Sequence, residues 1–164
     1  MSKEREGRTM KKQMQAIVIN EFGGPNVFQA MQVPRPEVRA GHVLIRVVAS
    51  SVNPHDYNVR KGFAPPDIAP AFPAILHGDV AGIIEEVGEG VTAFHLGDEV
   101  YACAGGVRGT SGALAEYMLA DADLVALKPQ SLSMAQAAAL PLATLTAWEG
   151  LVDRAQIQTG QMVL

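Results

Sequence analysis

Residues 73–91 read PAILHGDVAGIIEEVGEGV, and two readings of this stretch lead to different proteins. His77 and Asp79 stand two positions apart at its head, as half of a metal site would. The run that follows, DVAGIIEEVG, is rich in β-formers and bounded by glycine, as a turn entering a strand would be. The histidines are His42, His55, His77 and His95, and none makes the His-x-x-x-His pair that sets two ligands on one helix face. None lies near a second cysteine either, because Cys103 is alone in the chain. Spacing by itself therefore makes a poor zinc site, and His77 is expected to line a turn.

Working outward, short strands dominate. MQAIVIN (14–20) alternates weakly, and Gly23-Gly24-Pro25-Asn26 closes it with turn chemistry. FQAMQVPRPEV reads as an extended piece that Pro34 and Pro36 confine to a sheet edge. HVLIRVVASSVN (42–53) is the clearest strand, with Val43, Ile45 and Val47 on one face. Residues 54–74 hold five prolines and no sustained period, which predicts a loop with one helical turn at Asp56–Lys61. DEVYACAG and GALAEYMLADADLVALKP supply further strands. The period then changes: Ser133 and Gln136 have the spacing of a capping box, the alanines after them favour helix, and Pro141 starts a second segment reaching about Arg154. The expected fold is mainly β with C-terminal helices.

Bulk properties narrow the function. At 164 residues and 48% hydrophobic the chain can bury one core of ordinary size. A net charge of −4 without a Lys/Arg face argues against a nucleic-acid partner. One cysteine excludes an intramolecular disulfide and suits a reducing compartment. The uncharged run Met134–Trp148 is broken by Pro141 and is shorter than the ~20 residues of a membrane span, so no membrane partner and a cytoplasmic location are expected. The polar residues 1–13 are expected to be a disordered extension, with Met10 and Met14 as alternative starts.

Three patterns lead nowhere. GEGVTA (88–93) fits a permissive dinucleotide-loop pattern, yet FHLGDEV follows it instead of the helix whose N-terminus must face the pyrophosphate. RGTSGA (108–113) fails as a nucleophile elbow because Ala113 stands where glycine is required. Cys103 has no cationic sequence neighbour to lower its pKa, so a structural thiol is expected.

HVLIRVVASSVNPHDYNVRKG, FPAILHGDVAGIIEEVGEGVTAFHLGDEVYA and GALAEYMLADADLVALKPQSLSMAQAAALPLATLTAWEGL together resemble the catalytic domain of medium-chain dehydrogenases/reductases, on the zinc-free quinone oxidoreductase-like branch. The resemblance covers residues 14–164. It implies a GroES-like β-barrel over 14–130, a helical connection over 131–159, and the start of a truncated Rossmann domain at 160–164. The α/β Rossmann domain that binds NADP(H) in the family would follow. On this resemblance the fragment is expected to be inactive alone.

The resemblance also carries site residues. Where the zinc branch places its metal ligands, this chain has Asn53, Gly78 and Leu142, so no metal ligand is assigned. Asp79 is then expected to accept hydrogen bonds from turn backbone near the cleft. The chemistry left is hydride transfer from NADPH to a quinone or another activated C=C or C=O acceptor. Asn53 and Tyr57 are the implied catalytic residues, with neutral donors steadying the developing oxyanion. Asn58 and Thr146 are implied to touch the cofactor, although tyrosine, common at the Asn58 position, here sits one place earlier as Tyr57. The plainer alternatives are a half-buried rim aromatic for Tyr57 and a hydroxyl bonded to its own helix for Thr146. A small-molecule acceptor and, in a full-length form, a homodimer are the implied partners. Two other readings stay open: a stand-alone GroES-like binding module without catalysis, and a zinc-type alcohol dehydrogenase relative that has lost its metal.

Overall fold

A computed structural model describes residues 12–107 and 109–163. The expectation for the N-terminal extension lies outside the described residues up to position 11. Beyond it, Gln13 already opens the first strand, and the Lys12 carbonyl accepts from the Arg35 amide at 2.8 Å.

Among the described residues, eight strands and three α-helices follow in order: β1 Gln13–Ile19, β2 Phe28–Pro34, β3 His42–Ser50, α1 Pro54–Arg60, β4 Ala74–Ile75, β5 Asp79–Val87, β6 Glu99–Cys103, β7 Tyr117–Asp121, β8 Val125–Leu127, α2 Met134–Ala138 and α3 Pro141–Trp148. The strands form two antiparallel sheets, β2-β1-β4 and β7-β3-β5-β6-β8. β3 and β5 are the central pair of the larger sheet, and the register shifts twice along them, between Leu44 and Ile45 and between Val47 and Ala49. Such bulges bend and twist the ladder, which lets a sheet close over its own core. Val43, Ile45, Val80, Ile84, Val100 and Met118 fill that core. Each such side chain contributes about 1.5–3 kcal/mol by leaving water. Ala16 and Ala115 form the bridge between β1 and the segment leading into β7.

The patterned elements fall where their residues put them. β2 is an edge strand, paired only with β1 and ending on Pro34, whose missing N–H costs nothing there. GEGVTA turns between β5 and β6. α2 carries the expected capping box: Ser133 Oγ accepts from the Gln136 amide at 3.3 Å, and Gln136 Oε1 accepts from the Ser133 amide at 2.9 Å. Its Ala137 and Ala138 pack on Ala81 of β5.

Two local expectations change. Residues 54–74 form more than a loop with one turn, since α1 starts at Pro54 and runs seven residues. Proline suits the first helical position, where its missing N–H would be unsatisfied anyway. The stretch also ends in β4, whose two residues pair with Val18 and Ile19 and are too few to carry a period.

After α3 the helix widens to π geometry over Glu149–Arg154. Beyond its first turn most of this arm is exposed, with Leu145 and Trp148 each 59% accessible and Val152 and Ile157 at 40%. Residues 161–163 have no regular structure and are exposed, with no ladder partner among the described residues. Apolar surface of this kind promotes association. The chain at high micromolar concentration is therefore expected to self-associate in light scattering, and the double change Leu145→Lys, Trp148→Glu to shift it toward monomer. Unchanged scattering would mean that this face is not what drives association.

Candidate active site

Asp79, the first residue of β5, is fully buried. An isolated carboxylate there would cost several kcal/mol, so its donors define the site. Ser51 Oγ and Asn53 Nδ2 each donate to Oδ2 at 2.9 Å, and the backbone N–H of Leu142 donates to Oδ1 at 3.1 Å. The Cys103 thiol, opposite Asp79 in the β5–β6 register, bonds to the same carboxylate. Burial first, and then the negative field of Asp79, push the Cys103 pKa up to about 12. One carboxylate thus ties together the end of β3, the mouth of α1, strand β6 and the first turn of α3. The expected backbone donor is present, but it comes from α3 and not from a turn, and side chains supply the rest.

This arrangement constrains Asn53. Its Nδ2 also lies 3.1 Å from Ser51 Oγ, which itself donates to the same Asp79 oxygen, so the Asn53 amide is held inside this cluster. Its own N–H is held by Asp56 Oδ2 at 2.7 Å, which satisfies a free donor at the start of α1.

His77 lines the turn between β4 and β5, with φ at +73°. That left-handed backbone is uncommon outside glycine, and a β-carbon makes it costly. The surroundings over-determine it. The Ala113 amide donates to the His77 carbonyl at 2.8 Å, and a Cβ on Gly106 would come within 3.1 Å of the His77 backbone. The imidazole is buried, its Nδ1 has no hydrogen-bond partner, and desolvation lowers its pKa from 6.5 against the opposing pull of Asp56 and Asp79.

Beside it lies a cavity of about 370 Å³, walled by Ile17, Phe28, Val52 and Leu114, with Asp56, Tyr57, Arg60 and His77 as its polar side chains. Tyr57 is 43% exposed on this rim, with the Lys61 ammonium 5.3 Å from its ring centre. Asn58 is half-buried on the same helix. Thr146 stands apart on the exposed face of α3, and its hydroxyl donates to the Leu142 carbonyl at 2.8 Å, the plainer of the two expectations for it. Asn53 and Tyr57 thus come together at the mouth of α1, while Thr146 shares with them only the Leu142 link. Sequence reading missed Asp56, Arg60 and Ser51 as site members. The Asn53-x-x-Asp56 spacing is a capping signal that could have exposed the first; nothing local marks the other two.

The residues do not fit a zinc ion. Among the described residues no group of three or more His, Cys, Asp or Glu side chains could hold a metal. Gly78 has no side chain, and Leu142 meets the site through an N–H, which repels a cation.

Residues 39–130 match the family model of the alcohol dehydrogenase GroES-like domain. The chain belongs to that family. Within it the relatives are quinone oxidoreductases of the medium-chain dehydrogenase/reductase superfamily. The crystal structure of an alcohol dehydrogenase superfamily protein from Novosphingobium aromaticivorans is 46% identical, superposes with a TM-score of 0.84, and is matched over 90% of this chain and 44% of its own. The quinone oxidoreductase of Sus scrofa is 39% identical over 95% of this chain and 46% of its own length. The chloroplastic NADPH-dependent alkenal/one oxidoreductase of Arabidopsis thaliana is also 39% identical, over 95% and 41%. The chain therefore spans less than half the length of these relatives, and its described residues form the GroES-like part of the fold.

Two outcomes follow. Asp79→Asn sets an amide against a cluster of donors and should lower unfolding stability by about 2–4 kcal/mol in urea melts, because each bond to the charged acceptor is worth about 1.5–3 kcal/mol; a change below about 0.5 kcal/mol would mean that the cluster is not holding the site. For His77, the unfolded imidazole takes up a proton near pH 6.5 while the folded one does so only at lower pH, so stability declines as pH falls below about 6.5 and levels off past the folded pKa. His77→Asn, which tolerates the left-handed backbone, should remove that part of the pH dependence, and unaltered melts from pH 7 to 5 would refute the assignment.

Proposed function

We propose that this chain is the catalytic-domain part of an NADP(H)-dependent oxidoreductase that reduces a quinone or another activated C=C or C=O acceptor without zinc. The supporting observation is the substitution of a hydrogen-bonded unit for a metal. Asn53, the Asp79 carboxylate and the Leu142 N–H occupy the region where the resemblance implies ligands in the zinc branch. With no Lewis acid there, an unactivated alcohol is a poor substrate, and an acceptor that is already electrophilic is the better one. The names of the relatives from Sus scrofa and Arabidopsis thaliana agree with this acceptor class.

When bound, NADPH supplies the hydride; this chain supplies the wall that holds the acceptor. Tyr57 presents its hydroxyl at the exposed rim, and the Asp79 unit fixes α3 against the barrel. The apolar face of α3 is where a cofactor-binding domain would pack, placing Thr146 and Asn58 toward the nicotinamide. A small-molecule acceptor is the proposed partner, homodimerisation is proposed for a longer form, and the single thiol fits the cytoplasm. Among the described residues no helix is long and apolar enough to cross a membrane.

The test joins residues 1–163 in frame to the cofactor-binding half of the Novosphingobium relative. The chimera is expected to oxidise NADPH in the presence of 1,4-naphthoquinone, and the chain alone is not. Elemental analysis of both is expected to find zinc well below one per chain. Turnover that appears only on adding Zn²⁺, or stoichiometric zinc in the isolated protein, would overturn the reading.

A further inference from the structure

The outer strand of the smaller sheet, β2, differs from the edges of the larger one. Its sequence FQAMQVP carries no charge, and Gln29, Ala30, Met31, Gln32 and Pro34 are exposed. Its ladder with β1 runs from Gln13–Pro34 to Ile19–Phe28 without a register shift. Natural sheets guard such edges with charges, bulges or a covering element, because a bare edge pairs with another strand. The larger sheet is guarded in this way: β8 is three residues long with Lys128 next to it, and β7 ends on Asp121. In β2 only Pro34, at its end, interrupts the row.

The groups that this edge offers follow from its pairing. The Arg35 amide donates to the Lys12 carbonyl, so Arg35 turns toward β1, and by antiparallel alternation Val33, Met31 and Gln29 do too. Ala30 and Gln32 therefore turn their N–H and C=O groups outward, and among the described residues β2 pairs with β1 alone. The Phe28 amide is taken by the Pro25 carbonyl, and Pro34 has none. The outward amides thus lie one on each side of Met31.

This row is complementary to itself. Across a two-fold axis at Met31, Ala30 of one chain faces Gln32 of the other, and each such pair exchanges N–H···O=C bonds in both directions. At the ends Phe28 meets Pro34, and neither has an amide to leave unsatisfied. No charge on β2 opposes its twin. We propose that two copies of this chain associate through β2, joined antiparallel about Met31 into one continuous sheet. A single strand edge buries little surface, so the dimer is weak and forms at high protein concentration. No residue of the Asp79 unit takes part, and the proposal stands apart from the reductase reading.

The test uses the full chain carrying Leu145→Lys and Trp148→Glu, so that the C-terminal arm does not drive association. Sedimentation equilibrium at millimolar concentration should give a mass tending to two chains, and the Ala30 and Gln32 amides should gain hydrogen-exchange protection as concentration rises. Met31→Lys sets like charges across the axis, and Gln32→Pro removes an outward N–H that β1 does not use; each should weaken association about 10-fold. Met31→Cys should form an intermolecular disulfide on mild oxidation, because directly opposed residues of a non-hydrogen-bonded pair lie within disulfide reach. Gln29→Cys, about 13 Å along the strand from its own twin, should not. The chain without an added cysteine controls for Cys103, and the cross-linking comparison stands even if Gln32→Pro does not fold. A mass of one chain at the highest concentration, association unchanged by Met31→Lys, or equal cross-linking at positions 29 and 31 would each overturn the proposal. So would protected Ala30 and Gln32 amides in a monomer, which would mean that another part of the same chain covers the edge.

Discussion

A single buried carboxylate organises this molecule. Asp79 could not remain in the interior without donors, and the donors it collects come from three places far apart in the chain: Ser51 and Asn53 after β3, Cys103 on β6, and Leu142 in α3. Satisfying one acceptor therefore fixes the mouth of α1 and the departure of the C-terminal arm. The larger sheet provides the rigid frame. β5 is its middle strand, and Asp79 is where that strand begins.

The same requirement explains why the neighbouring turn is strained. Gly78 lies close to Cys103, and the Ala104 amide donates to its carbonyl at 2.9 Å. The chain passes from β4 into β5 with no room to relax, and His77 takes the left-handed conformation that this geometry imposes. Its ring is thereby buried against α1, where Asp56 and Arg60 are also inside. The fold and the site share the same few residues, so a change intended for one reaches the other.

How much of this was legible in the sequence depends on the range of the signal. Val43, Ile45 and Val47 announced β3 as a β-rich run with a shared face, Ser133 and Gln136 announced α2 through a three-residue spacing, and Pro34 with Pro36 just beyond it announced β2 as an edge. These are local patterns set by backbone geometry. β4 is two residues long and exists only because β1 lies beside it, so no pattern could announce it. The site divides the same way. That Asn53 and Asp79 belong together was implied by family resemblance. That Ser51 joins them was not, because its hydroxyl reaches Asp79 only once β3 and β5 are paired. Arg60 sits in a run that looks like an ordinary helix end, and its burial follows from how α1 docks beneath β1 and β2, a tertiary fact with no one-dimensional trace.

The chain's only cysteine gains a meaning from its place beside Asp79. Quinones and enones alkylate thiolates, and a protein that reduces such compounds, as proposed for this one, would risk being poisoned by them. With a pKa of about 12, Cys103 has only about one thiolate in a hundred thousand molecules at pH 7. The carboxylate that assembles the pocket also keeps the adjacent sulfur protonated and unreactive, so the scaffold carries its own resistance to covalent self-inactivation.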